Sequence, residues 1–179
     1  IQDQISASFG GLNKIDINKN GDFDVKNIRI NEKIKKLDKN LVLLFTGIHR
    51  TANEIAGQYV SKLKKDKIHE MKEINFQVDE AEKLLFKNNF DDFGKLLNEG
   101  WKFKKSLSKV ISNRNIDNLY EFSIKNGALG GKLLGAGGGG FMLLYIPHYK
   151  QKKFFKKIKN IINVPFNLSN ENSQIILNN

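Results

Sequence analysis

The sequence predicts an α+β layer fold, in which helices pack against a sheet. Strand-like segments lie near both ends of the 179-residue chain, and the stretch between them repeats apolar residues at helical spacing. A hydrophobic fraction of 40%, with 13 Phe, is sufficient for a packed core and argues against disorder.

The first part of the chain predicts a helical turn, a hairpin and a strand. Residues 4–9 end at a pair of glycines, as a short helix does. Alternating apolar and polar residues over 12–18 and 23–30 flank an Asn-Gly pair, which predicts a β-hairpin. The turn imitates a calcium loop, but Asn27 stands where the bidentate acid should fall, so the hairpin is favoured. The apolar run 41–45 predicts a buried strand.

The rest of the chain is expected to be helical before it returns to strands. Helices are predicted over residues 51–64, 68–78, 81–86, 90–107 and 116–125. Asn126 and Gly127 are typical of a carboxyl cap on the last of these. A strand over 141–146, a basic helix over 149–162 and a short strand over 173–177 complete the pattern.

Five glycines lie within six residues directly before the strand at 141–146. They are Gly135, Gly137, Gly138, Gly139 and Gly140, and we call residues 135–140 the glycine loop. Glycine permits sharp turns and a close approach to a ligand, and converging backbone N–H groups favour a phosphate. The spacing matches a dinucleotide pattern by letters, but such a loop opens a helix, whereas this one precedes a strand. A structural bend without a ligand is the alternative.

Three other positions have residue types that suit chemistry. Arg50 lies at a predicted helix start, where it could meet an anion or pair with Glu54. Asp3 could cap a helix or orient a hydroxyl proton. Trp101, among lysines, could form a stacking surface, although its helical spacing more often indicates packing.

Charge and cysteine content limit the functional classes. The chain has 30 Lys+Arg against 19 Asp+Glu, a net charge of +11, which suits small phosphorylated substrates. Nucleic acid is disfavoured as a partner because no RNA-recognition or zinc-finger motif accompanies the scattered lysines. Without cysteine, and with three His that lack ligand spacing, no metal site is expected within the chain. No apolar run is long enough to span a membrane, and the expected compartment is the cytoplasm.

Three segments together resemble one family. GALGGKLLGAGGGGFMLLYIP is similar to the third conserved motif of the GHMP small-molecule kinases, above all in the branch of D-glycero-D-manno-heptose 7-phosphate kinase and related sugar kinases. LLFTGIHRTANEIA resembles the segment in which those kinases cross from a strand into a helix. IQDQ, which contains Asp3, resembles the segment carrying the catalytic Asp, and the three segments occur in family order.

This resemblance implies the carboxyl-terminal half of such an enzyme. Residues 41–179 would form an antiparallel sheet of about four strands with helices packed against it. Residues 1–40 would form a junction helix and β-hairpin that belong partly to a missing amino-terminal domain. The family's amino-terminal motif and its GLGSS-type nucleotide loop do not occur in the chain. We therefore expect the isolated chain to be inactive and to bind ATP poorly.

The reaction implied is transfer of the γ-phosphoryl group of ATP to the anomeric hydroxyl of a heptose 7-phosphate. Asp3 would accept or orient the hydroxyl proton, and Arg50 would contact the substrate phosphate or the transferred group. The glycine loop would line the cleft near the nucleotide phosphates, and Lys132 is a further candidate for substrate binding. The ligands of Mg²⁺ are expected mainly in the missing half.

Two other classes of function stay open. One is a non-catalytic small-molecule-binding domain with a kinase-like fold, and the other is a basic nucleic-acid-binding module. The acceptor sugar, its anomer and the oligomeric state stay open as well.

Overall fold

The computed structural model describes residues 1–29, 31–48 and 67–174. The chain divides into two compact units, Ile1–Asp38 with Asn167–Asn179, and Lys39–Phe166. Arg50 and the helix expected over 51–64 lie outside the described residues.

The first unit contains a short helix followed by a hairpin. Its elements are α1 (Gln2–Phe9), β1 (Leu12–Ile17), β2 (Phe23–Ile28) and α2 (Lys35–Asp38). β1 and β2 are antiparallel, and Leu12 lies opposite Ile28. The turn between them contains Gly21 at a φ of 95°, a conformation that glycine adopts without strain. The hairpin prediction is therefore confirmed, and α1 begins two residues earlier than expected.

The carboxyl-terminal segment returns to this unit and packs against the end of α1. The amide of Gly11 donates to the carbonyl of Ser169 at 3.0 Å, and the amide of Ser173 donates to the carbonyl of Ala7 at 3.1 Å. Residues 171–174 have no regular secondary structure, and the rest of the strand expected over 173–177 lies outside the described residues.

The second unit is a four-stranded antiparallel sheet covered by helices. Its described elements are β3 (Leu41–Phe45), α3 (Ile68–Phe86), α4 (Phe90–Leu107), α5 (Arg114–Lys125), β4 (Gly130–Leu133), β5 (Phe141–Tyr145), α6 (His148–Lys157) and β6 (Ile162–Asn163). The strand order is β4-β5-β3-β6, and each neighbouring pair is antiparallel. The α+β prediction with about four antiparallel strands is confirmed.

The core lies on one face of this sheet, beneath α5 and α6. Strand alternation directs Val42, Leu44 and Met142 to that face, where all three are buried. Ile116 of α5 and Phe154 of α6 belong to the same buried cluster. The helices thus bury the apolar side of the sheet and hold β5, which follows the glycine loop.

Several elements differ from the sequence prediction, and residues 68–86 form the single helix α3 where two helices were expected. β4 was missed because Gly130 and Gly131 have no side chain from which alternation could be read. β6 was missed because it has only two residues, Ile162 and Asn163. α6 stops at Lys157 rather than at residue 162, since the following residue is extended and leads the chain back to pair with β3.

Trp101 is a core residue and not an exposed stacking platform. It is 1% exposed, and its ring centroid lies 6.0 Å from that of Tyr120. The packing interpretation of this residue is confirmed.

α4 lies directly on the backbone of β4 and on one side chain of β5. A Cβ added to Gly130 would stand 2.0 Å from the carbonyl oxygen of Gly94. A Cβ on Gly94 would stand 2.5 Å from Cδ1 of Tyr145.

No helix among residues 1–29, 31–48 and 67–174 is both long and apolar enough to cross a membrane.

We expect Gly94→Ala to lower the free energy of unfolding by about 1–3 kcal/mol, because the new methyl group overpacks against the Tyr145 ring. Alanine is more favourable than glycine in a helix by up to about 1 kcal/mol. A lower free energy of unfolding in Gly94→Ala would therefore come from the contact with the Tyr145 ring and not from helix propensity. Gly100→Ala in the same helix is the control, since its nearest neighbour is the flexible end of Gln77. Urea denaturation measures both variants, and a Gly94→Ala protein as stable as the wild type would contradict this packing.

Candidate functional site

The glycine loop connects two antiparallel strands. β4 leads into it and β5 leaves it, and the amide of Leu134 donates to the carbonyl of Phe141 at 2.8 Å across its base. The sequence indicated only the strand that follows the loop. The loop is therefore the connection of a β-hairpin, which differs from the strand-to-helix turn of dinucleotide-binding folds.

Backbone hydrogen bonds fix the loop to two neighbouring segments. The amide of Gly138 donates to the carbonyl of Ile111 at 2.9 Å, and the amide of Gly140 donates to the carbonyl of Ile48 at 2.8 Å. The hydroxyl of Thr46 donates to the Gly140 carbonyl at 2.8 Å, and the Thr46 amide donates to it at 2.9 Å. The loop thus has a defined conformation and does not resemble a flexible linker.

The central glycines leave no space for side chains. A Cβ on Gly137 would stand 2.8 Å from both Cα and the carbonyl oxygen of Ile111, and a Cβ on Gly139 would stand 2.6 Å from the carbonyl oxygen of Ile48. No described residue lies within 4 Å of a Cβ built on Gly135, although its φ of 70° still favours glycine. Close packing and backbone conformation are therefore separate requirements within the loop.

Three of the other loop amides have no protein partner in the part of the chain that the structure describes. They belong to Gly135, Gly137 and Gly139, and those of Gly137 and Gly139 flank the anchored amide of Gly138. Gly137 and Gly139 are buried, and buried N–H groups are normally paired. These amides are the loop's candidates for contacts to phosphate oxygens.

Lys104 of α4 forms hydrogen bonds with the base of the loop. Its Nζ donates to the carbonyl of Gly135 at 2.6 Å and to the carbonyl of Leu133 at 3.1 Å. Burial and the nearby charge of Lys132 lower the pKa of Lys104 to about 8, and burial also lowers the pKa of Lys132. The sequence indicated Lys104 only as a neighbour of Trp101. Because Lys104 follows this buried residue by one helical turn, its position could have indicated that its side chain lies near the core.

Asn113 is a second loop contact that sequence reasoning missed. Its side-chain oxygen accepts hydrogen bonds from the amides of Asn115 and Ile116, both at 3.1 Å, and so caps α5. Its Nδ2 donates to the carbonyl of Gly138 at 3.2 Å. One side chain therefore joins the start of α5 to the glycine loop.

The residues expected to form the site are divided between the two units. The glycine loop and Lys132 belong to the second unit, and Asp3 belongs to the first. Asp3 is exposed in the first turn of α1, whose N-cap is Ile1, so the capping role for Asp3 is wrong. Arg50 lies outside the described residues. Within the described ranges, no three His, Asp or Glu side chains converge as a metal site requires.

Comparisons with known proteins match the chain over most of its length. Residues 81–161 match the family model described as GHMP kinases C terminal. A D-glycero-alpha-D-manno-heptose 7-phosphate kinase from Campylobacter jejuni is 34% identical over 163 residues, which are 88% of this chain and 47% of that protein. A bifunctional fucokinase/GDP-fucose pyrophosphorylase from Arabidopsis thaliana is 32% identical over 62% of this chain and 11% of its own length.

A solved structure shows the same fold. The crystal structure of a sugar kinase from Campylobacter jejuni covers 96% of this chain and 49% of its own, with 29% identity and a TM-score of 0.68. The chain therefore spans about half the length of the heptose kinase and of the sugar kinase that it matches.

We expect Gly137→Ala to destabilise the protein more than Gly135→Ala does. Both glycines have positive φ, and strain at such a position is about 1–2 kcal/mol for alanine. Only Gly137 also places the methyl group against the Ile111 backbone, which adds overpacking of about 1–3 kcal/mol. Urea denaturation of the two variants checks this, and equal losses would show that strain alone governs the loop.

The lowered pKa of Lys104 predicts a stability that depends on pH. Between about pH 8 and the ordinary lysine pKa near 10.4, the unfolded chain binds more protons than the folded protein at this residue. The free energy of unfolding of the wild type should therefore rise with pH in this window relative to that of Lys104→Met. Denaturation at pH 7.5, 8.5 and 9.5 measures the two slopes, and parallel slopes would contradict the lowered pKa.

Proposed function

We propose that this chain, whose residues 81–161 match the carboxyl-terminal domain of the GHMP kinases, is part of an ATP-dependent sugar kinase. The observation that carries the proposal is the 34% identity to the heptose 7-phosphate kinase, which extends over 88% of this chain. We propose D-glycero-D-manno-heptose 7-phosphate as the acceptor, phosphorylated at its anomeric hydroxyl, and the cytoplasm as the compartment.

The glycine loop would act by binding phosphate oxygens through its backbone. The amides of Gly135, Gly137 and Gly139 have no protein acceptor among the described residues, whereas those of Gly138 and Gly140 are anchored to Ile111 and Ile48. Phosphoryl transfer depends largely on positioning and on stabilising negative charge. Donors already fixed by the fold need little reorganisation when charge develops, which is why the anchored loop suits this reaction.

In the proposed step, the anomeric hydroxyl oxygen of the acceptor bonds to the γ-phosphorus of ATP while the bond to the ADP oxygen breaks. Asp3 would accept or orient the hydroxyl proton, and its exposed carboxylate is available for that contact. Arg50 is proposed to contact the phosphate of the acceptor or the transferred group. Substrate binding by Lys132 stays a prediction.

Mg²⁺ would neutralise charge on the ATP phosphates. We propose that its ligands come mainly from the amino-terminal part of the kinase, and the described residues contain no cluster of acidic side chains that could hold a metal ion. The chain covers 47% of the heptose kinase, and we accordingly expect it to be inactive and to bind ATP poorly without the other half.

Asp3→Asn, made in the intact enzyme that contains this chain, should lower kcat by about 10²–10⁴-fold because the carboxylate base is lost. Thermal unfolding should be unchanged, because Asp3 is exposed. Asp24→Asn on the exposed hairpin strand is the control and should retain normal turnover. A coupled ADP assay with heptose 7-phosphate measures kcat.

Each outcome of that experiment has a distinct meaning. Near-normal turnover by Asp3→Asn would reject the proton-accepting role while leaving the kinase assignment in place. No phosphorylation by the wild-type enzyme across a panel of sugars and sugar phosphates would instead favour a non-catalytic binding domain.

A further inference from the structure

A pocket lies beside the base of the glycine loop, between α3, α4 and β4. It encloses about 300 Å³, and we call it the lysine pocket. Its apolar walls come from both helices and include Ile74, Val78, Ala81, Phe93 and Leu97. The described lining residues that carry polar side-chain groups are Gln77, Trp101, Lys104 and Lys132. An apolar cavity with a few converging polar groups is the usual form of a small-molecule site.

The charges in the lysine pocket are not balanced by the described part of the protein. None of the described residues that line it is acidic. Among the described residues, the ammonium group of Lys104 donates only to neutral backbone carbonyls, and that of Lys132 has no hydrogen bond or ion pair. A buried charge is unfavourable unless it is paired, and burial lowers the pKa of both lysines for this reason. Two neighbouring ammonium groups without a counter-charge indicate an anionic ligand.

The walls indicate what the rest of this ligand resembles. Val78 is 41% exposed although it faces the pocket, so apolar surface remains available for contact. Among the described lining residues, the uncharged polar groups are the side-chain amide of Gln77 and the indole N–H of Trp101, which leaves few partners for the hydroxyl groups of a sugar. An apolar body would therefore suit the walls better than a sugar would.

We propose that the lysine pocket binds a small carboxylate or phosphate monoester that carries an apolar group. The anionic head lies against the ammonium groups of Lys104 and Lys132, and the apolar group lies between α3 and α4. Because Lys104 also holds the carbonyls of Leu133 and Gly135, the bound ligand contacts the residue that fixes the base of the glycine loop. Occupation of the pocket therefore affects the loop.

This inference does not rest on the kinase reaction, and binding alone tests it. The full chain is titrated calorimetrically with hexanoate, hexyl phosphate, hexanol and glucose 6-phosphate. At least one hexyl anion should bind about tenfold or more tightly than both hexanol and the sugar phosphate, a difference of about 1.4 kcal/mol. Hexanoate and hexyl phosphate distinguish the two kinds of anionic head.

A matched pair of variants locates the binding. Lys132→Met should reduce the affinity for the anion to that for hexanol, whereas Lys95→Met, which removes an exposed lysine of α4, should not change it. In the wild-type chain, the amide NMR signals of Gly135 and Ala136 should shift at saturation, and this readout needs no variant.

Equal binding of hexanol and the anions would overturn the proposal, because the pocket would then be only an apolar cleft. Preferred binding of glucose 6-phosphate would also overturn it and would make Lys132 a contact for a sugar phosphate. Absence of binding by every probe, or anion binding without a shift at Gly135 and Ala136, would reject the site.

Discussion

The structure of the second unit depends on a close contact between the backbones of α4 and β4. Glycine on both sides permits it, because a side chain on Gly130 would collide with the carbonyl of Gly94. Once the helix lies this near the strand, Trp101 enters the core and the ammonium group of Lys104 reaches the carbonyls at the base of the glycine loop. A single steric constraint thus connects the packing of the helix with the geometry of the candidate site.

The sequence was most informative where local pattern determines structure. Helical spacing located α4, and the glycine run located the loop together with the strand that follows it. β4 could not be found in this way, because its glycines carry no alternation. The anchors of the loop were also beyond local reasoning, since Ile48 and Ile111 bind it through carbonyls that every residue possesses. The role of Lys104 depends on a helix and a strand meeting in three dimensions.

The lysines that give the chain its positive charge lie in two kinds of environment, one exposed to solvent and one desolvated. Many lysines form exposed pairs with acidic residues three positions away, as Lys35 does with Glu32 and Lys95 with Asp92. Such pairs contribute little to stability, and they suit a solvated surface. Lys104 and Lys132 differ because they are desolvated beside one another, and their pKa values are lowered accordingly. The distribution of charge is therefore more informative than the net charge.

The anchoring of the glycine loop also has a consequence for the order of folding. Its bond to Asn113 spans 25 residues of sequence, and its bond to Thr46 spans 94. Contacts between residues so distant in sequence form only after the entropy of closing long segments has been overcome. The loop can reach its final conformation only when three separated parts of the chain have met. A native glycine loop is thus a sign that the surrounding sheet and helices have already assembled.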